Sequence, residues 1–134
     1  MQRDEDKLQA ALWELICLRH RPGVLAWAVN NNPRNVVDGV RLKRLGCVRG
    51  IPDLHFIVNR TYQTLEIKTE KGRATPEQLI WMNDLNARGA IADLGRGWDE
   101  CVDVLMRRGV LLPGRYGRSR TAWGVGDSQE AGTQ

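Results

Sequence analysis

Two carboxylates and a lysine are the side chains in this sequence that are best suited to chemistry. Asp53 follows a proline, and further along the chain Glu66 and Lys68 flank Ile67. Side chains alternate along a β-strand, so Glu66 and Lys68 emerge on one face while Ile67 emerges on the other. If the segments that hold Asp53 and Glu66 pair as a hairpin, two carboxylates and one ammonium group share a small volume.

This set of groups suits the metal-dependent hydrolysis of a phosphodiester bond. A hard divalent cation such as Mg²⁺ prefers oxygen ligands, usually one or two carboxylates together with water and substrate phosphate. Asp53 and Glu66 carry such carboxylates, and the Lys68 ammonium is suited to position the attacking water or to offset charge in the transition state. The competing interpretation is structural, because Asp after a proline favours turns and a Glu-Lys pair is also common on a solvated strand face.

Hydrophobic periodicity and turn residues predict the elements that position these groups. The first helix has Asp4 as its expected cap, and the third has a capping box formed by Thr75 and Gln78. A hairpin connection of Asn59, Arg60 and Thr61 joins the two central strands. In chain order, the predicted segments are a helix at 4–19, a strand at 24–29, a helix at 36–45, strands at 53–58 and 62–69, a helix at 75–88, a strand at 90–94 and a helix that ends near Gly109.

Length and composition indicate one globular domain. The chain has 134 residues, of which 42% are hydrophobic and 27% charged, an ordinary composition that excludes fibrous and fully disordered classes. We expect a domain over residues 1–111 and a flexible tail over 112–134. No apolar run reaches the ~18–20 residues that span a bilayer, so no membrane partner is expected. The three cysteines form no CxxC pair, which argues against a disulfide framework or a zinc site.

The residues around the carboxylates, taken in chain order, resemble the VRR-NUC branch of the PD-(D/E)XK nuclease superfamily. The Pro-Asp and Glu-x-Lys motifs are common by chance, so the resemblance rests on the order in which they occur among the other matching motifs. The matching pieces are Glu5 with Gln9, 30–35, 41–50, Ile51 to Leu54, Leu65 to Lys68, Gly72 with Arg73, Pro76 to Gln78, Trp81 and Gly89.

That resemblance implies a fold and a function. The implied fold is a restriction-endonuclease-like α/β core, in which a small mixed central sheet is flanked by helices. The implied activity is that of an endonuclease that hydrolyses DNA phosphodiester bonds with Mg²⁺ or Mn²⁺. For small stand-alone members of bacterial or phage type, it further implies a homodimer that selects branched DNA such as four-way Holliday junctions. The expected location is the cytoplasm of a bacterium or of a phage-infected cell.

The resemblance also assigns roles to the residues of the site. It makes Asp53 and Glu66 catalytic metal ligands and makes Lys68 a catalytic residue. The main chain at Ile67 and the carboxylate of Glu5 are expected as further ligands.

Three residues keep a structural alternative. Glu5 is preferred over Glu14 of the same helix because Glu14 falls on the solvent side, but Glu5 would also complement the helix dipole. Gln78 is expected to be catalytic because its helix face points inward, although a capping box with Thr75 is a purely structural role. His55 shares a strand face with Asp53, and the interpretation favoured here is a hydrogen-bonded structural residue.

Basic residues near these motifs are the expected DNA-binding residues: Arg41, Lys43, Arg44, Arg49, Lys71 and Arg73. The formal net charge of +4 is compatible with a polyanionic partner, while a solvated helix face is the alternative for the cluster at 41–49. Two rival functions remain. One is a catalytically silent DNA-binding module with a nuclease-like fold, although clustered carboxylates repel phosphate. The other is an α/β interaction protein in which the spacing is a coincidence.

Overall fold

The computed structural model describes residues 2–29 and 35–118, and within these ranges it contains four helices and four strands. They follow one another in the predicted order, so the predicted α/β class is confirmed. The elements are α1 (Gln2–Arg19), β1 (Leu25–Ala28), α2 (Val36–Arg44), β2 (Leu54–Val58), β3 (Thr61–Lys68), α3 (Pro76–Ala87), β4 (Ile91–Arg96) and α4 (Gly97–Arg107).

The four strands form one mixed sheet in the order β1-β2-β3-β4. β2 pairs with β1 and with β3 in antiparallel fashion, while β3 and β4 are parallel. A parallel pair needs a crossover connection, and α3 supplies it between β3 and β4. The expected small mixed sheet with flanking helices is therefore confirmed.

The turn between β2 and β3 contains two residues, Asn59 and Arg60, rather than the predicted three. Thr61 already pairs with Val58, so it belongs to β3. Both turn residues have positive φ, 50° for Asn59 and 66° for Arg60. Turns with this conformation match the twist of the flanking strands and are favoured in two-residue hairpins.

The main core lies between the sheet and the pair α1 and α4. The apolar residues of β2 and β3 that face it alternate with residues on the opposite face, as the strand period requires. Gly95 allows α4 to lie close to β4, because a Cβ at this position would come within 2.6 Å of Cys101 Sγ. The cluster includes Leu8, Leu12, Leu15, Ile16, Leu54, Phe56, Leu65, Ile67, Trp98, Val102 and Leu105.

Local caps define the helix starts. The predicted capping box of α3 is confirmed, with Thr75 N donating to Gln78 Oε1 at 2.8 Å and Gln78 N donating to Thr75 Oγ1 at 3.2 Å. Asn35 caps α2 by accepting from Asp38 N at 2.8 Å, whereas residues 30–34 of the predicted Asn-rich loop lie outside the described residues. The prediction of Asp4 as a cap was wrong, because α1 already includes Gln2 and Asp4 lies in its first turn.

Packing continues beyond the predicted domain boundary at residue 111. Tyr116 is buried in the main core, and its carbonyl accepts a hydrogen bond of 2.5 Å from Trp98 Nε1. Leu112 N also donates to Arg19 O at 2.9 Å. The first residues of the predicted tail are therefore part of the packed domain, while residues 119–134 lie outside the described residues.

In the part of the chain that the structure describes, no helix combines the length and the apolar character needed to cross a membrane.

Candidate active site

The hairpin brings Asp53 and Glu66 together. Leu54, the first residue of β2, pairs with Leu65, so one further step along both strands places Asp53 opposite Glu66. Asp53 Oδ2 accepts a hydrogen bond from the main-chain N–H of Ile67 at 2.7 Å. The carboxylate thus takes the place of a strand partner for Ile67 at the point where β2 has ended.

Glu66 is an acid in an unusually buried position. Its exposed fraction is 1%, and its Oε2 lies 3.6 Å from Lys68 Nζ. Its other oxygen, Oε1, is buried and has no hydrogen-bond partner among the described residues. Lys68, at 7% exposure, is buried beside it. The three residues that the sequence selected therefore meet in one place.

Burial and mutual repulsion shift the pKa values of both acids. Burial raises the pKa of Glu66 to about 8, and the nearby Asp53 carboxylate adds to this effect while Lys68 opposes it. Burial also raises the pKa of Asp53, against the lowering effect of the hydrogen bond from Ile67 N–H. Two adjacent carboxyl groups that resist simultaneous ionisation favour a proton or a cation between them.

Glu5 lies near this pair. It is half-buried, and burial raises its pKa, while the charge of Lys68 lowers it and that of Asp53 raises it. Glu14 is exposed, as the helical geometry predicted. Within residues 2–29 and 35–118, no three or more His, Cys, Asp and Glu side chains are grouped to hold a metal ion. The ligand role of Glu5 stays a prediction.

The main-chain N–H of Ile67 points to the side of β3 on which Asp53 lies, because it donates to the Asp53 carboxylate. The N–H and C=O of one strand residue point to the same edge, so the Ile67 carbonyl is directed toward the Asp53 side of β3. This orientation is compatible with the predicted contribution of Ile67 to a metal site, which remains a prediction.

Gln78 stands at the start of α3, half-buried, with its Oε1 occupied by the capping box. The loop before Asp53 packs against this helix start: Gly50 has φ of 87°, and a Cβ there would lie 2.7 Å from the main-chain carbonyl of Glu77. This contact links the segment that leads to Asp53 with the helix that carries Gln78. The capping role of Gln78 is confirmed, and its catalytic role stays a prediction.

Two of the predicted DNA-binding residues are held beside the site. Lys71 and Arg73 are exposed and flank Gly72, whose carbonyl accepts a hydrogen bond from Arg96 Nε at 2.9 Å. A Cβ at Gly72 would lie 3.2 Å from that of Lys68, so the loop runs next to the end of β3. Sequence reasoning did not identify Arg96 as the residue that holds this loop.

The other predicted DNA-binding residues lie on α2 and the segment after it. Arg41, Lys43, Arg44 and Arg49 are all exposed, and Arg41 forms an ion pair of 3.1 Å with Asp38. None of the residues of α2 is buried. Exposure is what a phosphate-binding surface requires, and it is equally compatible with a solvated helix face.

His55 is more constrained than a solvent-facing strand residue. Its Nδ1 forms a hydrogen bond with Tyr62 OH, and its Nε2 lies 2.9 Å from Pro52 O. Burial lowers the pKa of His55 and raises that of Tyr62, so each ring is favoured in its neutral form. The expected hydrogen-bonded role of His55 is thereby confirmed. Its partner Tyr62 was missed: the two side chains share a face in the observed register, in which Ile57 pairs with Tyr62, but not if three residues connect the strands.

Taken together, the mixed sheet, the flanking helices and the paired carboxylates define an α/β domain with an acidic site at one end of a hairpin. Two solved structures share this fold. One, described as a VRR_NUC domain protein, matches with a TM-score of 0.66 at 22% sequence identity, covering 77% of this chain and 85% of its own. The other, described as a VRR_NUC domain, has a TM-score of 0.51 at 23% identity, covering 77% of this chain and 94% of its own.

A scan against protein-family models and a search of curated proteins both give no match. The chain thus has the VRR_NUC domain fold, and the resemblance inferred from the sequence motifs is confirmed at the level of the fold.

Proposed function

We propose that this protein is a metal-dependent DNA endonuclease that hydrolyses phosphodiester bonds, with Mg²⁺ or Mn²⁺ as its cofactor and branched DNA as its preferred substrate. The observation that carries the proposal is the pair of adjacent carboxyl groups, Asp53 and Glu66, beside the buried Lys68. The VRR_NUC fold of two solved structures supports it.

The donor set fits a hard divalent cation. Glu66 Oε1 is buried without a hydrogen-bond partner among the described residues, and the Asp53 carboxylate lies close enough to raise the pKa of Glu66. Burying an acceptor without a partner costs about 1–3 kcal/mol, a penalty that a cation between the two groups would remove. Asp53 and Glu66 would hold the ion, with Ile67 and Glu5 as the proposed additional ligands. When bound, it offsets the negative charge that develops on the phosphate.

The protein's own groups would then orient the substrate. The hydrogen bond from Ile67 N–H engages Asp53 Oδ2, and the other carboxylate oxygen would bind the ion. Lys68 has three donors. Its Nζ lies 3.6 Å from Glu66 Oε2, and its charge also acts on Asp53 and Glu5. In the proposed reaction Lys68 would hold the attacking water and donate to a phosphate oxygen. Gln78, with its Oε1 engaged in the capping box, retains an amide N–H₂ that can contact the same water.

A cleavage assay tests the proposal. End-labelled four-way junction, flap, duplex and single-stranded DNA are incubated with wild-type protein in Mg²⁺, Mn²⁺ or EDTA. The test variant is Asp53→Asn, and the matched control is Asp103→Asn, which changes an exposed acid in an ion pair on α4. We expect cleavage that needs metal, is retained by the control and falls by at least ~100-fold in Asp53→Asn, a loss typical of removing one electrostatic group from an active site.

The substrate comparison tests the finer part of the proposal. Faster cleavage of the junction than of duplex DNA would support selectivity for branched DNA, and equal rates would refute it. Binding of these DNAs without cleavage in either metal would favour the catalytically silent DNA-binding module. If the protein neither binds nor cleaves these DNAs, both functions are refuted.

We also propose that the protein acts as a homodimer. α2 exposes Val36, Val37 and Val40, and Leu45, which caps its C-terminus, is exposed too. Grouped apolar side chains of this kind are commonly covered by a partner. Two-fold symmetry would give two equivalent sites for paired cuts in a junction. Sedimentation equilibrium should give twice the 15.2 kDa chain mass, and a monomer both free and on DNA would refute this part.

A further inference from the structure

A chain of two hydrogen bonds ends at the peptide bond that precedes Asp53. His55 Nε2 lies 2.9 Å from the carbonyl oxygen of Pro52, and His55 Nδ1 bonds to the hydroxyl of Tyr62. His55 is 4% exposed, and Pro52 is among the fully buried residues. The contact between His55 and Pro52 is therefore shielded from water, where a hydrogen bond is worth more than at the surface, and the bond to the half-buried Tyr62 is partly shielded.

The direction of these bonds follows from elementary chemistry. A carbonyl oxygen can only accept, so His55 Nε2 must carry the hydrogen. A neutral imidazole has one N–H, so its Nδ1 accepts and the Tyr62 hydroxyl donates. Tyr62 thus fixes the tautomer that His55 needs. The Trp27 ring lies 5.7 Å from the His55 ring, at an interplanar angle of 17°, and limits rotation of the imidazole.

The orientation of the Pro52 carbonyl sets the orientation of the peptide bond between Pro52 and Asp53. The proline ring already fixes φ of Pro52, so ψ is the remaining torsion, and it turns this carbonyl. Beyond it, the Asp53 carbonyl accepts from Val29 N at 3.1 Å, and the Asp53 carboxylate accepts from Ile67 N at 2.7 Å. The bond from His55 therefore completes the support of Asp53 on its N-terminal side.

We propose that His55, oriented by Tyr62, is a positioning residue that holds the Pro52–Asp53 peptide so that the Asp53 carboxylate faces Glu66. The catalytic part of this proposal rests on the proposed nuclease function, in which Asp53 is a metal ligand. As a statement about structure it stands on the two hydrogen bonds alone. Displacing a reacting group by 1 Å can cost on the order of 100-fold in rate, so a support of this kind has a measurable effect.

Four variants separate this role from general packing. His55→Gln keeps a donor and an acceptor at the end of the side chain, whereas His55→Phe keeps a ring but loses both. Tyr62→Phe removes the hydroxyl alone and decides the question if His55→Phe does not fold. The control is Thr64→Val, which lies opposite His55 in the sheet and removes a buried hydroxyl with no hydrogen-bond partner among the described residues.

The first readout is hydrogen exchange of the Ile67 amide, measured by NMR on the metal-free protein. This N–H is held by the Asp53 carboxylate, so its exchange rate reports the position of Asp53. We expect exchange about tenfold faster in His55→Phe and Tyr62→Phe, in line with the loss of one hydrogen bond. Leu65, in the same strand, should be unaffected, and His55→Gln and Thr64→Val should match the wild type.

The second readout is Mn²⁺ affinity in the absence of DNA, measured by calorimetry. Loss of an orienting partner typically lowers metal affinity by about 10–100-fold, so we expect this loss in His55→Phe and its recovery in His55→Gln. Unchanged exchange of Ile67 in both His55→Phe and Tyr62→Phe would overturn the positioning role. A wild type that neither binds Mn²⁺ nor cleaves DNA would instead refute the nuclease, and the exchange of Ile67 would still decide the structural statement.

Discussion

Glu66→Gln should make the metal-free protein less sensitive to pH and more stable in alkaline solution. In the folded wild type the pKa of Glu66 is raised from its ordinary 4.5 to about 8. Between these values the folded state keeps a proton that the unfolded state has released, so the free energy of unfolding falls as pH rises. For a shift of this size the loss is at most about 5 kcal/mol, and it is smaller to the extent that Asp53 shares the proton.

The glutamine variant cannot ionise, so it should escape this loss. At pH 5 both proteins carry a neutral group at this position, and their stabilities should agree to within about 1 kcal/mol, as expected for a change that preserves shape. At pH 9 the variant should be more stable by a few kcal/mol, since the wild type then buries a second negative charge beside Asp53.

Urea denaturation followed by circular dichroism, at pH 5 to 9 in EDTA, measures this difference. Asp103→Asn serves as the control, because Asp103 is exposed and its change should shift all points equally. If the stability difference between Glu66→Gln and wild type stays constant across this pH range, Glu66 does not have a raised pKa and the reasoning fails.

Three further predictions address the metal, the loop before the site and the basic surface. Mn²⁺ should raise the melting temperature of the wild type at pH 8 but not that of Asp53→Asn, with about 2.7 kcal/mol of stabilisation when the Mn²⁺ concentration is 100 times the Kd. Scanning fluorimetry measures the two shifts in melting temperature, and equal shifts would argue against Asp53 as a ligand. Gly50→Ala should lower the free energy of unfolding in urea more than Gly46→Ala does. Both glycines have positive φ, but only a Cβ at Gly50 would meet backbone atoms, 2.7 Å away. Equal losses of stability would show that the packing of this loop against α3 is unimportant. Replacing Lys71 and Arg73 by Ala should make DNA binding less dependent on salt: the slope of the logarithm of the DNA association constant against the logarithm of salt concentration should fall in magnitude by about 0.9 for each DNA phosphate that the variant no longer neutralises. Fluorescence anisotropy measures this slope, and an unchanged slope would show that DNA binds elsewhere.

The sequence was sufficient for those features that depend on local pattern. The two-residue period of β3 placed Glu66 and Lys68 on one face, and the Thr75 to Gln78 spacing identified the start of α3. Each of these signals lies within a few residues of chain, where periodicity and capping chemistry determine the outcome.

Features that depend on contacts between elements were not predictable in the same way. The bonds of Asp53 to the Ile67 main chain, of Arg96 to the Gly72 carbonyl and of Tyr62 to His55 arise from strand register and loop approach. Composition carries no signal for such pairings, because many acceptors would serve equally well. Packing of Tyr116 against the core was missed for a related reason: a single aromatic residue in a Gly- and Arg-rich segment has no period.

The two-residue turn at Asn59 and Arg60 sets the register in which Asp53 stands opposite Glu66, although it lies at the other end of the hairpin. Sliding one strand by a single residue would turn its whole set of side chains to the opposite face, so Asp53 would be directed into the apolar core. The number of residues in this turn is consequently constrained more tightly than their identity. Substitutions that tolerate positive φ should be accepted there, whereas an insertion of one residue would separate the acidic pair while leaving every residue of the site unchanged in sequence.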